Sequence, residues 1–384
     1  MENRPQNIEL SEILAAHAET FLGSSNLCST QRKSYQALMK CRTSSMGGHV
    51  SQCDQCGHKQ IAYNSCRDRH CPKCQYIKKI QWVDRVAATL PPVRHFHIVF
   101  TIPQSLRTLF YINQDTAYNL LFKAAGQTLL QTAQNPDYLG ARAGAVAILH
   151  TWTQTLLHHP HIHMIVPAGG LSEDMMEWIP SRKKFFAPVK AMSRQFRGIL
   201  MRLIADALNK KQIKLPDNET FEALKKRCYA TNWVVYCQRP FSDSESLIGY
   251  LGNYTHRVAI SNSRITSYDG EKVQFRYKDN KKGGINRTMT LKAEEFVARF
   301  MQHILPKGFY KVRYFGFLAL CNLSTQLQTC YELIGKETWY PVLQGLPALE
   351  VLRHVTGVDP LCCPVCQQGR MRITAAIRTK EKAG

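Results

Sequence analysis

The chain has 384 residues, enough to bury a full hydrophobic core and to hold two or three domains. Lysine plus arginine exceed aspartate plus glutamate by 50 − 28 = 22, an excess that points to a polyanionic partner, with nucleic acid the simplest and an anionic membrane the rival. The basic residues are dispersed, there is no amphipathic anchor, and no run of about twenty apolar residues could span a bilayer. The start, Met1 to Gln6, is polar and no signal-peptide core follows, so the 14 cysteines are expected to serve metal rather than disulfides.

In chain order, residues 8–22 and 29–40 read as two amphipathic helices, the second capped by Ser29 or Thr30. Residues 41–90 form a cysteine-rich basic module. Its knuckles are Cys53-x2-Cys56 and Cys71-x2-Cys74, whose four thiolates can close a tetrahedral zinc site. Gly57 and Pro72 suit the tight turns. A redox dithiol is the alternative, disfavoured by two knuckles at this spacing. Cys41, His49, Cys66 and His70 interleave with them and could form a second, Cys2His2 site. Otherwise Cys41 and Cys66 are buried thiols and His70 is a surface residue. Arg67, Arg69, Lys73, Lys78 and Lys79 suggest that this module holds DNA rather than performing chemistry.

A helix over 75–89 ends before Pro91-Pro92. His95 to Ile102 alternates as a strand, with Phe96, Ile98 and Phe100 on one face and His95 and His97 on the other. Helices are expected over 104–111 and 115–134, and a strand from Gly144 to Trp152. The next strand, His159 to Pro167, is flanked by Pro160, which is tolerated at a strand's first residue, and by Pro167 with two glycines. Its alternation buries Ile162, Met164 and Val166 and leaves His161 and His163 together on the other face. Two imidazoles at that spacing can grip one divalent ion and leave positions open for a phosphate oxygen. The bland alternative is a histidine-rich surface strand.

Residues 188–210 read as a long basic helix and 219–229 as another, followed by a strand at Trp233–Cys237. Ser242-Asp-Ser-Glu245 has the form of a capping box. The helix that it opens carries Tyr250 and Tyr254 on one face, about 6 Å apart. Leu247 and Leu251 lie beside them, so two core tyrosines are the alternative. Gly249 and Gly252 break helix propensity by about 1 kcal/mol each beside those hydroxyls, as functional sites tend to do. Strands are expected at Arg257–Ile260, Val273–Arg276 and Thr288–Leu291. Asn280 to Gly284 is a turn that either wraps a phosphate backbone or stays a solvated hairpin tip. A helix over 292–304 follows. Residues 321–384 form a helical tail with a knuckle, Cys363-Pro-Val-Cys366, which Cys321 and Cys330 could complete. Patterning alone gives an α+β protein.

His161-Ile-His163 followed by Tyr250-x3-Tyr254 resembles the HUH nucleases with two tyrosines. Tyr254-Thr-His-Arg-Val-Ala-Ile-Ser-Asn262, His150-Thr-Trp152, Leu305-Pro-Lys-Gly-Phe309 and Arg313-Tyr-Phe-Gly316 are similar to the rolling-circle transposases of the insertion sequence 91 family. The motifs stand in family order from about residue 40 to 320. The resemblance implies an α+β HUH fold over 91–320: a central antiparallel sheet with flanking helices, beside a small N-terminal zinc-binding module preceded by helices over 1–40. It implies a DNA transposase, cytoplasmic and nucleoid-associated, acting on single-stranded DNA and transposon ends. Tyr250 or Tyr254 would be the nucleophile, forming a 5′-phosphotyrosine. His161 and His163 would hold Mg²⁺ or Mn²⁺, with one or two structural Zn²⁺ ions elsewhere. A third catalytic-metal ligand is expected, with His150 preferred and His95, His97 and Gln154 as rivals until the register is known. No Gly-x4-Gly-Lys-Ser/Thr loop occurs, so unwinding would fall to a host helicase. A non-catalytic zinc DNA-binding protein and a replication initiator or relaxase are the alternatives.

Overall fold

A computed structural model describes residues 8–24, 27–182, 186–238, 259–279, 283–335 and 340–379. It begins with helices α1 (Leu10–Ala16), α2 (Ala18–Ser24) and α3 (Ser29–Lys40). The single helix expected over 8–22 is interrupted at His17, whose φ of −109° and ψ of 14° fall outside the helical region. At the start of α3 the cap is Cys28 rather than Ser29 or Thr30, and the Gln31 side-chain oxygen accepts from the Cys28 N–H. The hairpin of β1 (Gly48–Cys53) and β2 (Lys59–Tyr63) comes next, then α4 (Tyr76–Thr89).

The middle of the chain supplies β3 (His95–Thr101), α5 (Arg107–Ile112), α6 (Gln114–Gln134), β4 (Gly144–Trp152) and β5 (His158–Pro167). A small hairpin of β6 (Gly169–Leu171) and β7 (Trp178–Pro180) leads to α7 (Val189–Asn209), α8 (Phe221–Ala230) and β8 (Val234–Gln238). Then come β9 (Ile265–Tyr268), β10 (Lys272–Asp279), β11 (Ile285–Lys292), α9 (Ala293–Met301) and β12 (Val312–Gly316). Helices α10 (Gln328–Ile334) and α11 (Ala348–Thr356) precede β13 (Met371–Ile377).

The central sheet is antiparallel, in the order β12-β4-β5-β3-β8. One face is covered by α5 to α8. Phe96, Ile98, Phe100, Ala147, Leu149, Ile162, Met164 and Val166 pack there with Leu109, Phe122, Phe196 and Leu224. Ile162, Met164 and Val166 are fully buried, each worth about 1.5–3 kcal/mol relative to exposure. A one-residue slip of β5 would exchange them for His161, His163 and Ile165, so the alternation fixes the register. On the opposite face α4 and α10 cover only part of the sheet, where Val146, Ile148 and Ile165 meet Trp82, Val86 and Tyr331. The rest of that face carries the histidines.

A second core joins the helices α1 and α3 to the sheet of β9, β10 and β11 and to α9, through Leu10, Ile13, Tyr35, Phe275, Phe296 and Phe300. Of the strand expected at Arg257–Ile260, the first two residues lie outside the described residues. Ala259 and Ile260 are not in a strand and are buried in this second core. The tail also differs from expectation. It is not wholly helical, because β13 pairs antiparallel with β1 from Gly48↔Ile377 to Cys53↔Met371 and gives a sheet ordered β13-β1-β2. The C-terminal segment therefore completes the N-terminal module.

Candidate functional site

The register of the central sheet decides which histidines meet. His150 on β4 stands directly opposite His161 on β5. Alternation then puts His163 on the same face two residues on. His150, His161 and His163 each offer a nitrogen, and these three atoms all lie within 4.8 Å of one another. His95 sits far along β3 opposite Pro167. Gln154 lies past the end of β4, where its backbone carbonyl accepts from Arg264. Neither joins the group.

The outer edges of two rings are held. His161 Nδ1 is 2.7 Å from the His159 carbonyl oxygen. A carbonyl only accepts, so Nδ1 carries the proton and Nε2 is the unprotonated nitrogen. His163 Nδ1 is 2.9 Å from His97 Nε2, with the two rings parallel to within 1°. Binding through His163 Nε2 requires the proton on Nδ1, donated to His97. Burial pushes the His161 imidazolium down to about 4, so the ring is neutral at physiological pH. Trp152 stacks on His150 with centroids 4.8 Å apart and limits its rotation. Three imidazole nitrogen donors suit a divalent first-row ion and leave its charge and remaining positions for an oxygen ligand.

Cross-strand rows extend this face to the sheet edge. His163 pairs with Val99, and Val99 with Tyr236 of β8. His161 pairs with Thr101, and Thr101 with Val234. Tyr236 and Val234 are 53% and 57% exposed, an apolar rim at the sheet edge two strands from the histidine strand. Tyr250 and Tyr254, the expected nucleophiles, lie outside the described residues.

The thiols group differently from the spacing expectation. Cys41, Cys66, Cys71 and Cys74 form one set, and Cys53, Cys56, Cys363 and Cys366 another. The hairpin explains this. Arg42 N–H donates to Asn64 O at the open end, which holds Cys41 and Cys66 near each other. Cys53 ends β1 at the turn, five residues beyond Gly48. At about 3.3 Å per residue those ends are roughly 17 Å apart, so the knuckle Cys71/Cys74 cannot share an ion with Cys53/Cys56.

In the first set Cys41 Sγ is 3.2 Å from Cys74 Sγ and 3.6 Å from Cys71 Sγ, while Cys66 and Cys74 are 3.7 Å apart. Sulfurs 2.3 Å from a tetrahedral zinc stand about 3.8 Å apart, so the donors fit that ion. His70 and His49 are in neither set. His70 Nδ1 is 3.0 Å from the Asp68 carboxylate, and its Nε2 accepts from Leu305 N–H at 3.1 Å. Both nitrogens are therefore engaged, Nδ1 within the thiol module and Nε2 in docking it onto the segment after α9. Arg69 does the same, donating to the carbonyls of Pro306 and Phe309. His49 pairs within the sheet, opposite Ala62 and Ala376. One signal could have found the second set. Eight cysteines in three knuckles plus Cys41 and Cys66 make two sets of four, with no histidine needed.

Comparison with known proteins gives two family matches. A family described as "Putative transposase" matches residues 144–325, and one described as "Transposase zinc-binding domain" matches residues 13–102. The chain is 39% identical over 373 residues, 94% of each chain, to "Putative transposase y4qJ" of Sinorhizobium fredii (strain NBRC 101917 / NGR234). It is 30% identical over 351 residues to "Transposase for insertion sequence element IS801" of Pseudomonas savastanoi pv. phaseolicola, covering 88% of this chain and 82% of that one. The histidine strand and the first thiol set fall inside the matched ranges. Cys363 and Cys366 fall outside both.

Proposed function

The chain belongs to the insertion sequence 91 family of transposases, with an N-terminal zinc-binding domain, and from that premise we propose that it nicks and rejoins single-stranded DNA through a tyrosine. The observation that carries the reading is the convergence of His150, His161 and His163 on a partly covered sheet face, with the Nδ1 edges of two rings already engaged. Mn²⁺ or Mg²⁺ bound there supplies charge stabilisation to a phosphate oxygen, with imidazole donors favouring Mn²⁺.

The protein's own groups do the rest. The hydroxyl of Tyr250 or Tyr254 attacks the scissile phosphorus and loses its proton. A bond forms between the phenolic oxygen and phosphorus, and the bond to the 3′ oxygen breaks, leaving a 3′-hydroxyl and a 5′-phosphotyrosine. A phenol has a pKa near 10, so activation at neutral pH rests on charge stabilisation at the phosphate. The phosphodiester energy is kept in the tyrosyl ester. Attack by another 3′-hydroxyl reverses the step and joins a new strand without ATP. Two tyrosines four residues apart in the sequence let one hold a cut strand while the other cuts.

The formal charge of +22 supports a nucleic-acid substrate. Exposed Tyr236, two strands along the sheet from the histidines, offers a surface on which an unpaired base can stack. Duplex unwinding falls to a host helicase. The test is cleavage of end-labelled single-stranded DNA across a Mn²⁺ and Mg²⁺ series. Wild type should nick only with metal, and His161→Ala should not nick. DNA binding without nicking under any metal would make this a zinc-dependent DNA-binding protein instead.

A further inference from the structure

We propose that Cys53, Cys56, Cys363 and Cys366 bind a second structural zinc ion, which clips the C-terminal segment onto the N-terminal module. The proposal does not depend on the nuclease reading. Cys53 Sγ lies 3.7 Å from Cys366 Sγ, and Cys56 Sγ lies 3.6 Å from Cys363 Sγ. These are close to the roughly 3.8 Å edge of a zinc tetrathiolate and far from the roughly 2.05 Å of a disulfide.

The backbone is shaped for thiolates. Gln55 and Cys56 N–H groups donate to Cys53 Sγ at 3.4 and 3.5 Å, and Gly369 N–H donates to Cys366 Sγ at 3.3 Å. A Cβ at Gly369 would stand 2.3 Å from Cys53 Sγ, so a side chain there would exclude the sulfur. The Asp54 carboxylate ties the two turns together by accepting from Arg370 N–H and Arg372 Nε. Cys362, next to the knuckle, is set apart. Its Sγ points at the Gln367 carbonyl at 3.5 Å, away from the four-thiol set.

The rest of the tail follows the same module. Tyr331 Oη donates to the Ala88 and Leu90 carbonyls, Leu343 N–H to Asp84, and Gln81 to the Leu343 and Leu346 carbonyls. At its end β13 turns β1 from an edge into a central strand. A two-stranded hairpin is marginal in water and three strands are not, so the ion's work is to keep the third strand in place. It fastens together segments about 310 residues apart, 313 for the Cys53–Cys366 pair.

The test counts zinc by mass spectrometry in full-length protein carrying His161→Ala and His163→Ala, so that zinc on the histidines is not included. Two ions per chain are expected. Adding Cys363→Ser with Cys366→Ser should leave one, and adding Cys321→Ser with Cys362→Ser should leave two. Because the knuckle variant could misfold, native wild type is also alkylated. Cys363 and Cys366 should be protected while Cys362 reacts, and chelation should expose both together with loss of exchange protection over 371–377. One zinc per chain, or Cys363 and Cys366 labelled as fast as Cys362 before chelation, would overturn the proposal.

Discussion

Replacing His97 tests whether the ring behind the histidine group orients it. His97 is 5% exposed and meets His163 Nδ1 at 2.9 Å. Without that acceptor the His163 ring can rotate or change tautomer, and Nε2 no longer converges with His150 and His161. Partners of this kind are worth about 10–100-fold in metal affinity. At 1.36 kcal/mol per decade that is about 1.4–2.7 kcal/mol, within the range of a buried hydrogen bond left unmade. His97→Phe keeps the ring volume without the acceptor, and His97→Asn restores an acceptor on a smaller side chain. Calorimetric titration with Mn²⁺ should show the Phe variant weaker by that factor, the Asn variant partly recovered, and nicking restored by excess Mn²⁺. Mn²⁺ affinity within about twofold of wild type in the Phe variant would refute the assigned role.

Three further outcomes follow from the geometry. Arg69→Ala removes two charge-assisted bonds to the carbonyls of Pro306 and Phe309 and should cost about 3 kcal/mol; an unchanged denaturant midpoint would show the module docked by other contacts. Tyr236→Ala should weaken single-stranded DNA binding by about 1–3 kcal/mol, read by fluorescence anisotropy, and leave Mn²⁺ affinity alone; loss of both would mean the face has collapsed. Burial holds His303 down to about 4 from an ordinary 6.5, so it is neutral in the folded chain while the unfolded chain takes up a proton on acidification. Its stability contribution is complete above 6.5 and drains as pH falls towards 4, by up to about 3 kcal/mol, with buried His95, also held down to about 4, acting in the same direction. Denaturation midpoints that stay flat from pH 7 to 5 would contradict this.

Much of the central sheet was legible because its strands alternate. Phe96, Ile98 and Phe100 against His97, and Ile162, Met164 and Val166 against His161 and His163, announce two faces with different uses. The third histidine needed the register, because a strand pattern gives the face within a strand but not the partner across it. The thiol pairing was not legible for a related reason. A knuckle supplies two ligands at a fixed spacing, and which knuckles meet is set by the hairpin that separates Cys53 from Cys41 and by β13, whose strand no pattern had identified. His70 looked like a ligand beside four cysteines, but its surroundings turned it into a docking group with both nitrogens engaged.

The most direct measurement is mass-spectrometric mapping of the covalent adduct formed with a 3′-labelled single-stranded transposon end. The account predicts a phosphotyrosine on Tyr250 or Tyr254, formed only with Mn²⁺ or Mg²⁺, absent from His161→Ala, and abolished when both tyrosines are phenylalanine. An adduct that persists in that double variant, or that forms in chelator with His161 replaced, would contradict it.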